Sequence, residues 1–440
     1  MKALSEVKYS TIIKTSLPTI LSALSAGIME MLDVLILAKY STTAMNGASI
    51  ASTWCNVFQL STIALVLVTG SLVGQYNGAK KYKLASIPIW QMTWFSVFLF
   101  GISLPLSQIV APYCIPKNLY EHGIPYLKIV MGLSPIFCIK VALMYFFISI
   151  GKGFIVFISS LLAIIVNTII DIFLIFYCNY GTIGAAIGTV MGGFSELIFL
   201  FSLFFKKSIR EKYETSNCKL RIKRMFKYLK LGIFASCANV VESFIFSSIS
   251  TILASSSANN ALAQTIASNI WEFLVCLGSG LEKGVLSITA NLLGANLKDK
   301  INILLKRGVN IHLLFISVVF LLIFLFPDLI IMNFVDVKSI SVDLHNYLVN
   351  VLKLVATCFI FDGIVWVEIG VLAAGGDVNY TMPTISICLL LFLAFPIFYI
   401  IDKSNITVET MWMFYTLADI ACALVLLYRY KSNKWIKIKI

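Results

Sequence analysis

Residues 166–176 read VNTIIDIFLIF, with Asn167 and Asp171 four residues apart among eight apolar residues. Positions i and i+4 share one face of a helix. That face would present an amide oxygen and a carboxylate together, a donor set suited to a hard cation or a proton. A charge near a bilayer centre costs roughly 2.5 to 3.5 kcal/mol on insertion scales, so it normally faces protein or water and marks function. Nine further acids stand in apolar runs: Glu30, Asp33, Glu196, Glu242, Glu272, Glu282, Asp362, Glu368 and Asp419. Only Lys140, Lys283 and Lys353 occupy comparable positions, so most of the acids must be protonated, cation-bound or hydrated. The plainer reading of such groups is interhelical hydrogen bonding that glues helices together. An intramembrane enzyme is disfavoured, because His122, His312 and His345 are far apart and neither HExxH nor GxSxG occurs.

The elements that must hold these side chains follow from composition. Of 440 residues 59% are hydrophobic and 12% charged, with mean hydropathy +0.92, whereas soluble domains carry about 25% charged residues. Twelve windows are long enough to cross a ~30 Å core, for which about 20 apolar residues are needed. They lie near 15–39, 45–75, 85–111, 123–149, 154–178, 182–206, 228–254, 258–292, 309–335, 345–374, 380–401 and 407–429. The first run is too long for a cleavable signal and lacks a small-residue cleavage site, so it is expected to remain as helix one. The net charge of +13 is distributed asymmetrically. With the N-terminus inside, 26 Lys or Arg fall on the cytoplasmic side, 5 outside and 3 within helices, the positive-inside pattern. Ten of them lie between Lys206 and Lys230. Their placement points to topology and anionic lipid heads rather than to nucleic acid. The ten cysteines contain no CxxC and read as small apolar filler, with a Cys114–Cys178 pairing left open.

At an offset of 216 residues, the separation of Gly78 and Gly294, SIASTW from Ser49 falls over TIASNI from Thr265. SIGKGF from Ser149 resembles AAGGDVNY from Ala373 at an offset near 225. The expected fold is therefore an all-α polytopic membrane protein, with two six-helix bundles related by a pseudo-twofold axis along the membrane normal and substrate between them. The expected organisation is an N-lobe over 1–206, a cytoplasmic linker over 207–227 and a C-lobe over 228–440. Gly184, Gly188 and Gly192 predict close packing of helix six, and helices nine and eleven read as lipid-facing all round.

Pro18 and Asp33, GQYNGAKKY from Gly74, NTIIDIFLIF, GTIGAAIGTV from Gly181, VVES around Glu242, TANLLGAN from Thr289, and Asp362 followed by GVLAAGGDVNY occur in one order along nearly the whole chain. In that order they resemble the multidrug and toxic compound extrusion (MATE) family of cation-coupled exporters. The resemblance implies an N-lobe cation site at Asp33, Asn167, Asp171 and Thr189, where Na+ or a proton would bind. It also implies coupling or substrate-binding acids at Glu242 and Asp362. Glu272 and Glu368 are further substrate or coupling candidates, and which lobe couples stays open. Asn291 stands where the family commonly has glutamine, and Phe234 where it commonly has proline.

The implied activity is secondary antiport: cationic or amphipathic organic molecules leave in exchange for Na+ or H+ as two bundles rock. No cofactor beyond the coupling ion is expected. Expected partners are small organic cations and membrane lipids, with a monomer in a cell membrane, bacterial inner membrane by type, and both termini cytoplasmic. A lipid-linked oligosaccharide flippase of the same superfamily is the alternative. Ten intramembrane acids against three lysines disfavour an anionic headgroup.

Overall fold

A computed structural model describes residues 6–336, 340–400 and 406–437. Lys338 and Lys403, two of the basic residues assigned to the outer side, lie outside the described residues. The described chain is helical throughout. Its long helices are α1 (Tyr9–Tyr40), α2 (Thr42–Gly78), α3 (Ser86–Cys114), α5 (Gly153–Tyr177), α6 (Gly181–Phe204), α7 (Ile222–Ser256), α8 (Ala258–Gly294), α9 (Ile301–Leu325), α10 (Val342–Ala374), α11 (Val378–Tyr399) and α12 (Val408–Lys431). The fourth span, α4, is a pair, Lys117–Gly132 and Pro135–Ser149, bent by 45°. Pro135 stands in the first turn after the bend, where its missing N–H costs nothing and its fixed φ suits a helix start. With α4 counted once, twelve helices among the described residues can cross a membrane.

The two halves repeat each other down to their caps. Ser41 and Ser257, 216 apart, each precede a helix and accept a hydrogen bond, from Ala44 N at 3.3 Å and from Asn260 N at 3.1 Å. Lys80 and Asn296, again 216 apart, both adopt left-handed φ (59° and 60°) beyond the ends of α2 and α8. The axis relating the halves passes between these two helix ends. Gly74 packs on Ala290, its own equivalent; Gly78 packs on the Asn291 carbonyl, and Gly294 on the Gln75 carbonyl. A Cβ at either Gly78 or Gly294 would overlap the partner backbone. This reciprocity is what a twofold demands.

The halves meet tightly at the end of the molecule that bears the first turn of α1 and the last turn of α12. There Gly280 lies against Ile20, Gly284 against Ser16 and Gly232 against Leu65, and Thr19 Oγ1 donates to the Gly280 carbonyl at 2.6 Å. Further along, Cys276 Sγ reaches the Ala23 carbonyl at 3.7 Å, after which α1 and α8 part. Gly27 faces open space, and Glu30 and Glu272 are exposed. A cleft therefore opens between the bundles toward the opposite end.

Two expectations need correction. Helix α9 begins at Ile301, earlier than the window at 309. Lys306, Arg307 and Asn310 interrupt the apolar signal there, while Arg307 guanidinium reaches the Val7 carbonyl at 2.6 Å. Helices α9 and α11 are not lipid-facing all round. Leu304, Leu305, His312 and Ile316 of α9, and Leu389, Leu393 and Ile397 of α11, are buried. Hydropathy misses this because lipid tails are as apolar as a core, so lipid-facing and protein-facing stripes read alike. The Cys114–Cys178 pairing that the sequence left open is not made; both are free thiols.

The connection between the halves is held rather than loose. After a helical turn at Lys207–Tyr213, its backbone is read by α3: Trp90 Nε1 donates to Thr215 O (2.8 Å), Trp94 Nε1 to Cys218 O (2.8 Å) and Gln91 Nε2 to Lys219 O (3.0 Å). Two indoles and an amide thus supply donors to carbonyls that no helix of the connection pairs.

Candidate functional site

In the first bundle, α1, α5 and α6 bring the four N-lobe residues together. Asp33 is 7% exposed, Asn167 and Asp171 fully buried. Thr189 Oγ1 donates to Asp33 Oδ2 at 3.1 Å, and Asn167 Nδ2 to Asp171 Oδ2 at 3.4 Å across one helical turn. The Asp33 carboxylate lies against Asp171 and Asn167. Asp33 Oδ1, Asn167 Oδ1 and Asp171 Oδ1 are all buried, and no described donor reaches any of them. Unpartnered buried acceptors are expensive, and two adjoining carboxylates cannot both ionise cheaply away from water. The chemistry that relieves both costs is a cation, or a proton, held among these oxygens.

The local sequence explains the geometry. Small residues at 184, 188 and 192 let α6 approach α5. Gly188 does more than pack: a Cβ there would collide with Asp171 Oδ1, so its missing side chain is the room the carboxylate occupies. Just beyond Asp171, residues Phe173–Tyr177 widen into a π-helical turn, a distortion frequent at functional sites. Tyr126 of α4, 5% exposed, brings its hydroxyl to Thr189. Neither Gly188's role against the carboxylate nor Tyr126's is visible in sequence, since α4 adjoins α6 only through the fold.

Nearer the end that bears the first turn of α1 and the last turn of α12, a second polar group is fully paired. Glu196 of α6 is 1% exposed. It accepts from Lys140 Nζ of α4 at 2.9 Å and from the Ser159 and Ser160 hydroxyls of α5 at 3.0 and 3.1 Å. Ser160 Oγ also meets Ser22 Oγ of α1 at 2.6 Å. Of the three lysines set against the acids, Lys140 makes this ion pair, whereas Lys353 lies over the Phe324 ring.

The second bundle brings Glu242 and Asp362 near one another and adds Asp419 of α12. Trp366 Nε1 donates to Asp362 Oδ2 at 2.7 Å, Cys358 Sγ to Asp419 Oδ2 at 3.2 Å, and the Tyr415 hydroxyl meets Glu242. Gly278 makes room for the Trp366 ring; a Cβ there would stand 2.8 Å from Cδ1. Trp271 is core, packed on Trp412 and Tyr415 with ring centroids 5.0 and 5.2 Å away. Glu272 and Glu368 do not join this group. Glu272 is exposed and faces Glu30 across the parted α1 and α8; Glu368 is buried with Oε2 unpartnered among the described residues.

These features agree with what the chain resembles. The MatE family model matches residues 18–173 and 233–400, one segment in each half. The multidrug export protein MepA of Staphylococcus haemolyticus is 23% identical over 313 residues, 70% of this chain and 68% of that protein. The probable multidrug resistance protein NorM of Thermotoga maritima is 22% identical over 333 residues, 72% and 70% of the two chains. In fold, the chain superposes with a TM-score of 0.85 on a solved multidrug resistance MATE family transporter of the MOP superfamily, described as outward-facing; 99% of each chain is covered at 14% identity. With the family model matched in both halves and the fold shared end to end, this protein belongs to the MatE family of multidrug efflux transporters.

Proposed function

We propose that the protein is a secondary antiporter that exports organic cations or amphipathic compounds in exchange for Na+ or H+. The observation that carries this reading is the N-lobe quartet: Asp33, Asn167, Asp171 and Thr189, from three helices, with three buried oxygens that no described donor reaches. A site of this kind binds a small cation or a proton and releases it when the helices shift. The acids Glu242, Asp362 and Asp419 form a second anionic locus for a cationic cargo or a second coupling ion. The lobes are residues 1–206 and 228–440, joined by 207–227, and they rock against each other across the contact between α2 and α8. The asymmetry of Lys and Arg favours a cytoplasmic position for the end that bears the first turn of α1 and the last turn of α12. On that reading the cleft opens outward. Coupling requires that ion and cargo favour opposite states, because a ligand shifts an equilibrium only by its differential affinity.

The test is transport in proteoliposomes with sodium and proton gradients imposed separately. Uphill movement of a fluorescent organic cation driven by one gradient and abolished by its collapse supports the proposal. Movement indifferent to both gradients rejects it.

A further inference from the structure

The four carbonyls that end α4 and α10 are met by side chains from the opposite half. Ser71 Oγ of α2 donates to the Ala373 carbonyl at 2.8 Å, and Gln75 Nε2 to the Ala374 carbonyl at 2.7 Å. Across the axis, Ser287 Oγ of α8 donates to the Ile148 carbonyl at 3.0 Å, and Asn291 Nδ2 to the Ser149 carbonyl at 2.8 Å. Ser71 and Ser287 are 216 residues apart, as are Gln75 and Asn291; the accepting carbonyls correspond at the second offset, near 225. Every one of these bonds joins one bundle to the other.

We infer that Ser71, Gln75, Ser287 and Asn291 form a latch that holds the cytoplasmic side shut, each half capping the last turn of a helix in the other. The inference rests on the alternating-access reading above. The last four carbonyls of a helix lack the usual intrahelical partners. The Ile148 and Ala373 carbonyls also accept from Gly151 N (3.0 Å) and Gly376 N (2.9 Å), so there the serine adds a second bond, whereas the Ser149 and Ala374 carbonyls take their donors from the opposite bundle; when the bundles separate, water can take each donor's place. Such bonds are reversible by construction. A neutral hydrogen bond exchanged for water biases an equilibrium only modestly, on the order of fivefold, and four of them together bias it several hundredfold, roughly. That holds a state without freezing it.

The latch is also tied to the inter-lobe connection, on one side only. Asn77 Nδ2 donates to Asn291 Oδ1 at 2.7 Å, and Tyr213 of the connection donates its hydroxyl to Asn77 Oδ1 at 3.0 Å. The residue equivalent to Asn77 in the second half is Leu293, which can make no such bond. The connection therefore orients Asn291, whose shorter side chain does at 291 what glutamine does at 75.

Spin labels at Lys81→Cys and Lys298→Cys report the separation of the two halves at this end, in full-length protein in nanodiscs with the exposed Cys218 and Cys237 replaced by serine. In the parent protein the expected distribution is dominated by a short distance, with a longer one appearing when ion or cargo is added. In Ser71→Ala/Ser287→Ala the ratio of long to short should rise roughly 25-fold, two bonds at about fivefold each. Gln75→Ala/Asn291→Ala should shift it the same way, whereas Asn291→Gln, which keeps the amide, should leave the parent ratio unchanged. That last variant keeps the test alive if an alanine pair does not fold. If the parent protein moves but both alanine pairs match it, the latch is wrong while alternating access stands. If one unchanging distribution is seen in every protein and condition, both fall.

Discussion

A carboxylate that binds and releases an ion must be buried enough to hold it and unpaired enough to need it, and Asp171 meets both conditions. Its Oδ1 is sealed from solvent without a described donor, and the space it fills exists because residue 188 has no side chain. Two predictions follow from those contacts. Asp171→Asn keeps shape and hydrogen-bonding capacity but removes the charge, so gradient-driven transport should be lost while the protein stays folded and inserted; dye efflux alongside size-exclusion behaviour checks this. Gly188→Ala should do comparable damage from the neighbouring helix by pushing a methyl group into the carboxylate. Gly101→Ala, whose Cβ would meet nothing within 4 Å, is the control that should transport normally. Normal efflux by Gly188→Ala would mean the carboxylate can move without consequence.

At the scale of elements, the first bundle is fastened by the Lys140–Glu196 pair and its serines, which join α1, α4, α5 and α6 around one buried charge. Removing one partner of such a pair leaves the other uncompensated, a loss of about 3 kcal/mol or more, whereas replacing both by apolar groups is often neutral. Lys140→Met should therefore lower the thermal unfolding midpoint in detergent markedly, and Lys140→Met/Glu196→Leu should recover most of it. Spacing made much of this architecture legible. The i, i+4 placement of Asn167 and Asp171 announced one polar face, and the 216-residue offset announced two bundles. What spacing could not give was any partnership between distant helices: Tyr126 beside Thr189, Asp419 beside Asp362, Lys140 on Glu196 rather than on another acid. Nor could it assign faces to α9 and α11, because in a membrane the apolar residue that packs on protein and the one that meets lipid are the same residue.

For the whole molecule, the two bundles share a backbone plan but differ in chemistry. The first carries a compact oxygen cluster at Asp33, Asn167, Asp171 and Thr189; the second carries Glu242, Asp362 and Asp419 shielded by Trp366 and Tyr415. If the second group receives the cargo, Glu242→Gln and Asp362→Asn should each weaken export of several cationic dyes, read as a raised KM, while ion-driven exchange itself persists. A full loss of ion dependence in these variants instead would move coupling to the second bundle. The central claim is that the quartet in the first bundle converts an ion gradient into uphill export, and it is tested most directly by comparing the parent protein with Asp171→Asn in proteoliposomes under one imposed gradient, with dye binding measured on the same preparations. The account predicts that Asp171→Asn binds dye with the parent affinity yet never concentrates it against its gradient. Uphill transport by Asp171→Asn at the parent rate would contradict it.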